Sequence, residues 1–285
     1  MSAKFGLEAS KLAAQRGLLG PGCRWLDDDA AMSDAARFVE ANGIRFAYHE
    51  DGRGPLVLLL HGFPDTARSW DSLRGRLAAR GYRAVSPYLR GYAPTQVPDR
   101  DTDLPTLGAD VAALIPALGE TSAIVVGHDW GAAAAYTAAI ATPGRISRLV
   151  TVAIPHPASL RPSPWRLWSV RHFLAYKRAG AARRFAADDF AAMRALYRRW
   201  SPTWDVPDAE LAPVRDSLRA PGSLDAAFGY YRQLPLWPPR YLRAAKRSAM
   251  KTFVLRLKLF RRLVEVGVLR DAVRGADELA LRLVV

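Results

Sequence analysis

The sequence contains very little cysteine and no long apolar run. Cys23 is the single cysteine among 285 residues, which excludes an intrachain disulfide and favours a reducing compartment. No stretch approaches the roughly 18 consecutive apolar residues that predict a membrane-spanning helix. Charged residues at Glu8, Lys11 and Arg16 interrupt the apolar region that a secretory signal needs. These absences predict a cytoplasmic protein with no transmembrane segment.

Acidic residues are scarce relative to basic ones, with 27 Asp and Glu against 41 Lys and Arg and a net charge of +14. Residues 161–199 carry ten Lys and Arg against two Asp, and residues 241–285 carry eleven against four acidic residues. Such an excess serves nucleic acid or an anionic membrane in some proteins, and in others it is the solvated face of Arg-rich helices. Because no nucleic-acid-binding motif accompanies the charge, we favour solvated faces and predict no nucleic-acid partner.

Short apolar runs alternate with helical patterns between residues 44 and 154. Residues 44–50 alternate like an edge strand, and residues 56–60 form the continuous apolar run that is typical of a strand buried on both faces. The same patterns predict further strands at 82–86, 123–126 and 149–154 and helices at 66–80 and 106–118. This alternation, with short connections, predicts an α/β protein with a mostly parallel, doubly wound sheet.

The pattern changes after residue 158. Residues 158–240 show no strand pattern and are rich in Arg, Trp and Pro. Helices are predicted near 166–178, 182–199, 208–220 and 223–233. We interpret this stretch as a helical cap inserted over the carboxyl ends of the strands.

The last 45 residues fit two different patterns. Residues 252–260 fit a strand by alternation, and they fit equally well the start of a basic amphipathic helix that runs to about Val273. We therefore divide the chain into a weakly ordered extension (1–31), an α/β core (32–157), a helical cap (158–240) and an atypical basic C-terminal segment (241–285).

The most informative stretch is residues 127–131, Gly-His-Asp-Trp-Gly, which follow an apolar run and precede the small residues of a helix. This strand, sharp turn and helix has the pattern G-x-nucleophile-x-G, with Asp129 at the nucleophile position. Glycine is needed on both sides because a Cβ there would collide with the neighbouring strand or helix. Open α/β sheets place their chemistry at the carboxyl ends of strands. The pattern therefore predicts that Asp129 is a nucleophile, and the alternative is a structural acid that caps the next helix.

Two motifs at this spacing resemble the epoxide hydrolase branch of the α/β-hydrolase superfamily. They are residues 61–65 (His-Gly-Phe-Pro-Asp) with Trp70, and residues 127–132. The loop 90–92 (Arg-Gly-Tyr) and the strand exit 155–157 (Pro-His-Pro) are similar to that branch too, so the resemblance covers roughly residues 40–240. It implies an α/β-hydrolase fold with a helical cap, no cofactor or metal, and a small apolar epoxide as substrate.

The resemblance also implies roles for particular residues. Asp129 would attack an epoxide carbon to form an alkyl ester, which water activated by a histidine then hydrolyses to a diol. The backbone N–H groups of Phe63 and Trp130 would form the oxyanion hole. The epoxide oxygen needs a proton donor, and the tyrosines that the family carries on its cap match Tyr231 and, as a second candidate, Tyr176.

The C-terminal part departs from the family pattern, which places an acid after a strand that follows the cap and a histidine near the C-terminus. Beyond residue 245 the sequence has neither a Gly-x-x-His nor an Asp turn after a strand. The histidines are at positions 49, 61, 128, 156 and 172. We predict that His61 belongs to the oxyanion loop and that the ring of His128 is turned from Asp129. His156 is then the remaining pocket histidine that could act as a base, and His49 and His172 are ordinary strand and cap residues.

Three functional hypotheses stay open. The first is an epoxide hydrolase impaired by an incomplete triad, in a chain that is either a truncated or frame-shifted copy or a non-catalytic relative. The second is a catalytically inactive α/β-hydrolase-fold protein that binds a ligand or partner. The third is a dehalogenase or esterase, but haloalkane dehalogenases prefer Asn where Phe63 stands, fluoroacetate dehalogenases prefer Arg where Trp130 stands, and esterases have Ser where Asp129 stands. The sequence predicts neither the stereochemistry nor the oligomeric state.

Overall fold

A computed structural model describes residues 35–99, 101–154, 171–234 and 252–255, all within the second of two compact units, Ser33–Val285. The strands of this part of the chain are β1 (Arg37–Ala41), β2 (Ile44–Asp51), β3 (Leu56–Leu60), β4 (Arg83–Pro87), β5 (Ala123–His128), β6 (Ile146–Val152) and β7 (Thr252–Leu255). Its α-helices are α1 (Asp71–Ala78), α2 (Leu104–Ala117), α3 (Trp130–Ala141), α4 (His172–Tyr176), α5 (Ala181–Trp200), α6 (Asp208–Arg219) and α7 (Ser223–Gln233). Two short 3₁₀ helices, Ala67–Trp70 and Pro143–Arg145, precede α1 and β6.

The strands form one sheet in the order β1-β2-β4-β3-β5-β6-β7. The pairs β1–β2 and β2–β4 are antiparallel, and all the other neighbours are parallel. The prediction of a mostly parallel sheet is therefore confirmed. The chain moves from β3 outward to β4 and then returns to β5 on the other side of β3. A doubly wound sheet binds ligands where its strand order reverses in this way, at the carboxyl ends of β3 and β5.

Strand β3 is buried on both faces, as its continuous apolar run predicts. Leu58 and Leu60 belong to a core that also contains Leu107, Val111 and Leu114 of α2. The alternate residues of the strand, Val57 and Leu59, lie in a second core with Trp70, Leu73 and Leu77 of the preceding helical turn and α1. Because side chains alternate across a strand, this one short apolar run contributes to both cores and anchors β3 between them.

The prediction that residues 44–50 form an edge strand is wrong. β2 lies between β4 and β1, and β1 is the outer strand of the described sheet. β1 and β2 form a hairpin that turns at Asn42 and Gly43, whose φ angles are +45° and +77°. Asn-Gly is the dipeptide that favours two-residue hairpin turns, because both positions need a positive φ. That dipeptide was the signal in the sequence that would have predicted β1.

Residues 252–255 form β7, which pairs in parallel with β6 from Leu149↔Thr252 to Val152↔Leu255. Of the two interpretations of this stretch, the strand is correct for these four residues and the helix is not. Residues 256–273, where the helix was predicted to continue, lie outside the described residues, as do 1–31 and 241–251. The proposed domain boundaries therefore stay predictions.

Residues 171–234 are helical and contain no strand in the part that the structure describes. α5, α6 and α7 match the predicted helices at 182–199, 208–220 and 223–233. α4 covers only part of the predicted 166–178, of which residues 166–170 lie outside the described chain. Among the helices described, none is both long enough and apolar enough to cross a membrane.

Candidate active site

The turn between β5 and α3 holds Asp129 in a strained backbone conformation, with φ +50° and ψ −116°. A positive φ is unfavourable for a non-glycine residue, so surrounding contacts must hold it. The backbone N–H of Asp129 donates to the carbonyl of Val152 at 3.2 Å, and its own carbonyl accepts the N–H groups of Ala132 and Ala133 at 3.0 and 3.1 Å. The turn is thus fixed between β6 and the first turn of α3.

Three glycines, by lacking a Cβ, provide the space that Asp129 and its turn occupy. A Cβ on Gly127 would lie 2.5 Å from the carbonyl oxygen of Gly131 and overlap the start of α3. A Cβ on Gly131 would overlap the carbonyl oxygens at the end of β3 and at His61. A Cβ on Gly62 would overlap the Cβ and carboxylate of Asp129 itself. The predicted reason for the two glycines that flank the turn is confirmed, and Gly62 adds a third constraint.

The carboxylate of Asp129 is held by the loop that follows β3. The backbone N–H of Phe63 donates to Oδ1 of Asp129 at 3.0 Å. Burial raises the pKa of Asp129, while His128 and the backbone N–H groups of Phe63 and Trp130, which both hydrogen-bond the carboxylate, lower it again. Asp129 stands at the N-cap position of α3, but its side chain makes no capping hydrogen bond there, so helix capping is not its role. The wider alternative of a structural acid stays a hypothesis.

Aromatic rings from the helical segment pack against the two residues whose N–H groups hold this carboxylate. The Tyr231 ring packs edge-on against Trp130 at 5.0 Å and Phe63 at 5.7 Å, and Tyr176 lies 4.9 Å from Tyr231. Burial raises the pKa of Tyr176 and of Tyr231, and the charge of Asp129 raises the pKa of both further. Both phenols therefore stay protonated near neutral pH and lie within electrostatic reach of Asp129. The structure brings the two predicted tyrosines to the predicted carboxylate.

His61 supports the loop after β3 through both ring nitrogens. Nε2 accepts the backbone N–H of Leu89 at 2.9 Å, so Nδ1 carries the proton and donates to the Gly62 carbonyl at 2.9 Å. Burial lowers the pKa of His61 to about 3, partly opposed by the hydrogen bond to Gly62. A neutral imidazole engaged at both nitrogens positions the loop and is poorly suited to accept a proton from water.

His128 and Asp65 lie beside the turn as a second pair of titratable groups. Nδ1 of His128 is 3.8 Å from Oδ2 of Asp65. The other oxygen of Asp65, Oδ1, accepts the hydroxyls of Ser69 at 2.7 Å and Tyr197 at 3.1 Å. Burial raises the pKa of Asp65 despite the attraction of His128. The ring of His128 thus faces the loop carboxylate, and His156 lies outside the described residues.

The sequence did not reveal three further contributors. His172, interpreted as an ordinary cap residue, packs its ring 5.5 Å from Tyr176 and 6.3 Å from Tyr231. Phe185 and Phe228 each pack within 5.4 Å of the Phe63 ring. No sequence motif marks such residues, because the packing of the helices decides which side chains lie near Asp129. Among the described residues, no group of three His, Cys, Asp or Glu side chains is placed to hold a metal ion.

A mostly parallel sheet with a strained strand–turn–helix at the carboxyl end of a central strand is typical of α/β hydrolases. A family model described as alpha/beta hydrolase fold matches residues 55–239. The AB hydrolase superfamily protein YfhM of Bacillus subtilis is 30% identical over 208 residues, which is 70% of this chain and 72% of that protein. The chain belongs to the α/β-hydrolase fold family, within which it is epoxide hydrolase-like.

The particular resemblance is to epoxide hydrolases. An epoxide hydrolase of Caballeronia sordidicola is 41% identical over 120 residues, which is 41% of this chain and only 36% of that protein's length. Epoxide hydrolase A of Mycobacterium thermoresistibile superimposes with a TM-score of 0.68 over 86% of this chain and 99% of that one, at 22% identity. A likeness at that identity shows the fold alone. The activity that the relatives' names carry therefore enters for this chain as a proposal.

Proposed function

We propose that the protein opens small apolar epoxides through an alkyl ester on Asp129. One observation carries the proposal: two backbone N–H groups hold the Asp129 carboxylate, and the Tyr231 ring packs against both residues that supply them, Phe63 and Trp130. Carboxylate, N–H donors and phenols are the groups that epoxide opening requires at one point. The surroundings favour an apolar substrate, because the Tyr231 ring packs directly against the rings of Phe63 and Trp130.

The first half-reaction follows from this arrangement. Oδ1 of Asp129 is held by the N–H of Phe63, which leaves the second carboxylate oxygen to attack an epoxide carbon. The new C–O ester bond forms as the ring C–O bond breaks, and the phenolic proton of Tyr231 passes to the leaving oxygen. Tyr176, 4.9 Å from Tyr231 between ring centres, is the second donor to that oxygen. The products are a hydroxyalkyl ester and a tyrosinate, which regains its proton from solvent.

The second half-reaction hydrolyses the ester. Water adds to the Asp129 carbonyl carbon, and the negative charge develops on the oxygen that the N–H groups of Phe63 and Trp130 face. Collapse of this intermediate breaks the bond between the acyl carbon and the ester oxygen, and the departing alkoxide takes up the proton that the attacking water lost, which gives the diol. Asp129 releases its remaining proton to solvent as the carboxylate re-forms. A base must remove a proton from the attacking water, and we assign no residue to that role. The single cysteine favours a reducing compartment, so the proposal places the reaction in the cytoplasm.

Intact-mass measurement tests the proposal. Incubation with styrene oxide is expected to add the mass of one epoxide, either transiently with release of diol or persistently. Asp129→Asn removes the charged nucleophile at constant shape, and the adduct should be lost. In water labelled with ¹⁸O, a single turnover should place the label in Asp129 and leave the diol unlabelled. Absence of both adduct and diol would contradict epoxide chemistry, and halide release from a haloalkane would favour a dehalogenase instead.

A further inference from the structure

Phe185 of α5 stands between the Asp129 site and the interior of the helical segment. Its ring lies 5.3 Å from Phe63 and packs edge-on against Tyr176 at 5.8 Å, so one side faces the residues around Asp129. On the other side, the ring centre of Phe190 is 6.2 Å away. Phe185 and Phe190 are both only 4% exposed. The two rings form a wall one to two side chains thick.

Beyond this wall lies an open cavity between α5 and α6, of about 540 Å³. We name it the α5–α6 cavity. Its apolar lining includes Ala182, Ala186, Phe190, Leu218 and Leu224. Its charged rim is Arg183, Asp189, Arg219 and Asp225. The volume is in the range of about 300–1,000 Å³ that small-molecule sites occupy, and an apolar floor with a charged rim suits an alkyl or aryl group.

The wall is built on a strained segment of α5. Ala187 leaves the helical conformation with ψ +150°, and Asp188, Asp189 and Phe190 follow with φ angles of +50°, +50° and +62°. Three consecutive non-glycine residues in the left-handed region cost on the order of 1–3 kcal/mol each, so other contacts must maintain them. Asp189 supplies such contacts through ion pairs with Arg215 at 3.2 Å and with Arg219.

The two halves of α5 are held differently on either side of this break. In the C-terminal half, the Tyr197 hydroxyl donates to the Pro64 carbonyl at 2.7 Å and to Asp65 at 3.1 Å. These contacts fix that half to the loop whose N–H group holds Asp129. The N-terminal half carries Phe185 and is joined to it through the strained residues 187–190. A helix interrupted in this way can rotate one half while the other stays docked.

We propose that the α5–α6 cavity binds the apolar tail of the substrate and that Phe185 is the gate between this cavity and Asp129. The inference rests on the proposed epoxide chemistry and specifies its substrates: epoxides whose alkyl or aryl tail extends past the Phe185 ring. Rotation of the N-terminal half of α5 about residues 187–190 moves Phe185 aside and joins the cavity to the site. We assign the substrate tail to this cavity because a continuous row of rings connects it to the Asp129 site. Phe190 lines the cavity and packs against Phe185, and Phe185 packs against Phe63.

A chain-length series tests the gate. Straight-chain 1,2-epoxyalkanes of four and ten carbons are compared by the rate of adduct formation on Asp129. Phe185→Ala should raise the ratio of the ten-carbon to the four-carbon rate by more than tenfold, because each methylene that enters the cavity favours binding about fourfold and two of them already give about 16-fold. Phe38→Ala is the matched control, since Phe38 on β1 is 42% exposed, and the ratio should not change. An unchanged ratio in Phe185→Ala overturns the gate. Phe185→Leu replaces it if thermal unfolding shows that the Ala variant does not fold.

A second measurement needs no chemistry. The neutral apolar dye N-phenyl-1-naphthylamine should bind the unmodified chain with increased fluorescence. Leu218→Trp, which fills the α5–α6 cavity from α6, should weaken that binding about tenfold or more, and Phe38→Ala should not. Dye binding that is indifferent to Leu218→Trp overturns the cavity. If no epoxide forms an adduct while Leu218→Trp still weakens dye binding, the result contradicts the proposed epoxide chemistry and supports the cavity as a binding site.

Discussion

The backbone N–H of Phe63 donates a 3.0 Å hydrogen bond to Oδ1 of Asp129, across 66 residues of sequence. The bond joins the loop after β3 to the turn after β5, the two adjacent strands at which the sheet order reverses. It orients the carboxylate in the resting protein. In the proposed mechanism, the same N–H would stabilise the oxyanion that forms when the ester is hydrolysed.

Gly62→Ala should disable the site. The added Cβ would overlap the Asp129 side chain, so the carboxylate or the loop must move. We expect at least a hundredfold slower adduct formation, because a displacement of about 1 Å at a reacting group costs about that much. Gly144→Ala is the control, since its Cβ would meet nothing within 4 Å. Equal rates in the two variants, measured by intact mass, would contradict the close approach.

Tyr231→Phe should slow alkylation by about 10²-fold, because one positioned proton donor contributes about 10²–10⁴-fold. The ring contacts with Trp130 and Phe63 stay, so the affinity for an apolar epoxide should change little. Tyr176→Phe should have the smaller effect of the two, and the double variant should lose more than either. The rate and the binding constant are to be measured separately. A Tyr231→Phe variant with the unmodified rate would remove the phenol from the mechanism.

The alkylation rate should rise with pH through the pKa of Asp129 and then stay level. Burial raises that pKa above the usual 3.8, and only the ionised carboxylate attacks. No fall is expected up to about pH 10, because burial raises the pKa of Tyr231 well above 10.0.

The raised pKa of Asp129 also affects the stability of the folded protein. The folded protein binds this proton more tightly than the unfolded chain, so stability is lost as pH rises past the unfolded pKa. Asp129→Asn should therefore raise Tm at pH 7.

His61 should make the protein less stable in mild acid. Its pKa is lowered from 6.5 to about 3, so between these values the unfolded chain binds a proton that the folded protein does not. Stability is thus lost as pH falls below 6.5. Each pH unit costs about 1.36 kcal/mol, or about 2 kcal/mol from pH 6.5 to pH 5. Urea unfolding at pH 7 and pH 5 should show this loss in the unmodified chain and a smaller one in His61→Gln. Parallel losses in both would show that His61 is not the cause.

Removing one partner of the buried pair Arg90–Asp110 should destabilise the protein strongly. Arg90 donates to Asp110 at 2.6 and 2.7 Å, and both residues are almost fully buried. Arg90→Met leaves the carboxylate buried without its charge partner, and such losses cost about 3–5 kcal/mol. The control is Arg37→Met, which breaks the exposed Arg37–Glu50 pair and should cost less than about 1 kcal/mol. Denaturant unfolding distinguishes them, and equal costs would contradict the argument.

The sequence was informative where one residue type is required by backbone geometry or by periodicity. The apolar run 56–60 and the spacing of Leu107, Val111 and Leu114 predicted elements that the structure confirms. Residues 127–131 predicted the position of the strained turn, because its flanking glycines have no substitute. The strand β1 was missed although Asn42-Gly43 marks its hairpin. In each of these cases the signal is local, within about ten residues.

The sequence by itself thus determined the α/β fold and the turn at Asp129, and its resemblance to a known family suggested which tyrosines to look for near that turn. Only the tertiary structure decided that Oδ1 of Asp129 is held by Phe63, that His128 faces Asp65, and that Phe185 packs between Phe63 and Phe190. These relationships join residues far apart in the chain. They depend on where neighbouring strands end relative to one another and on the angles at which helices pack. Both are properties of the whole core, so they leave no local pattern in the sequence.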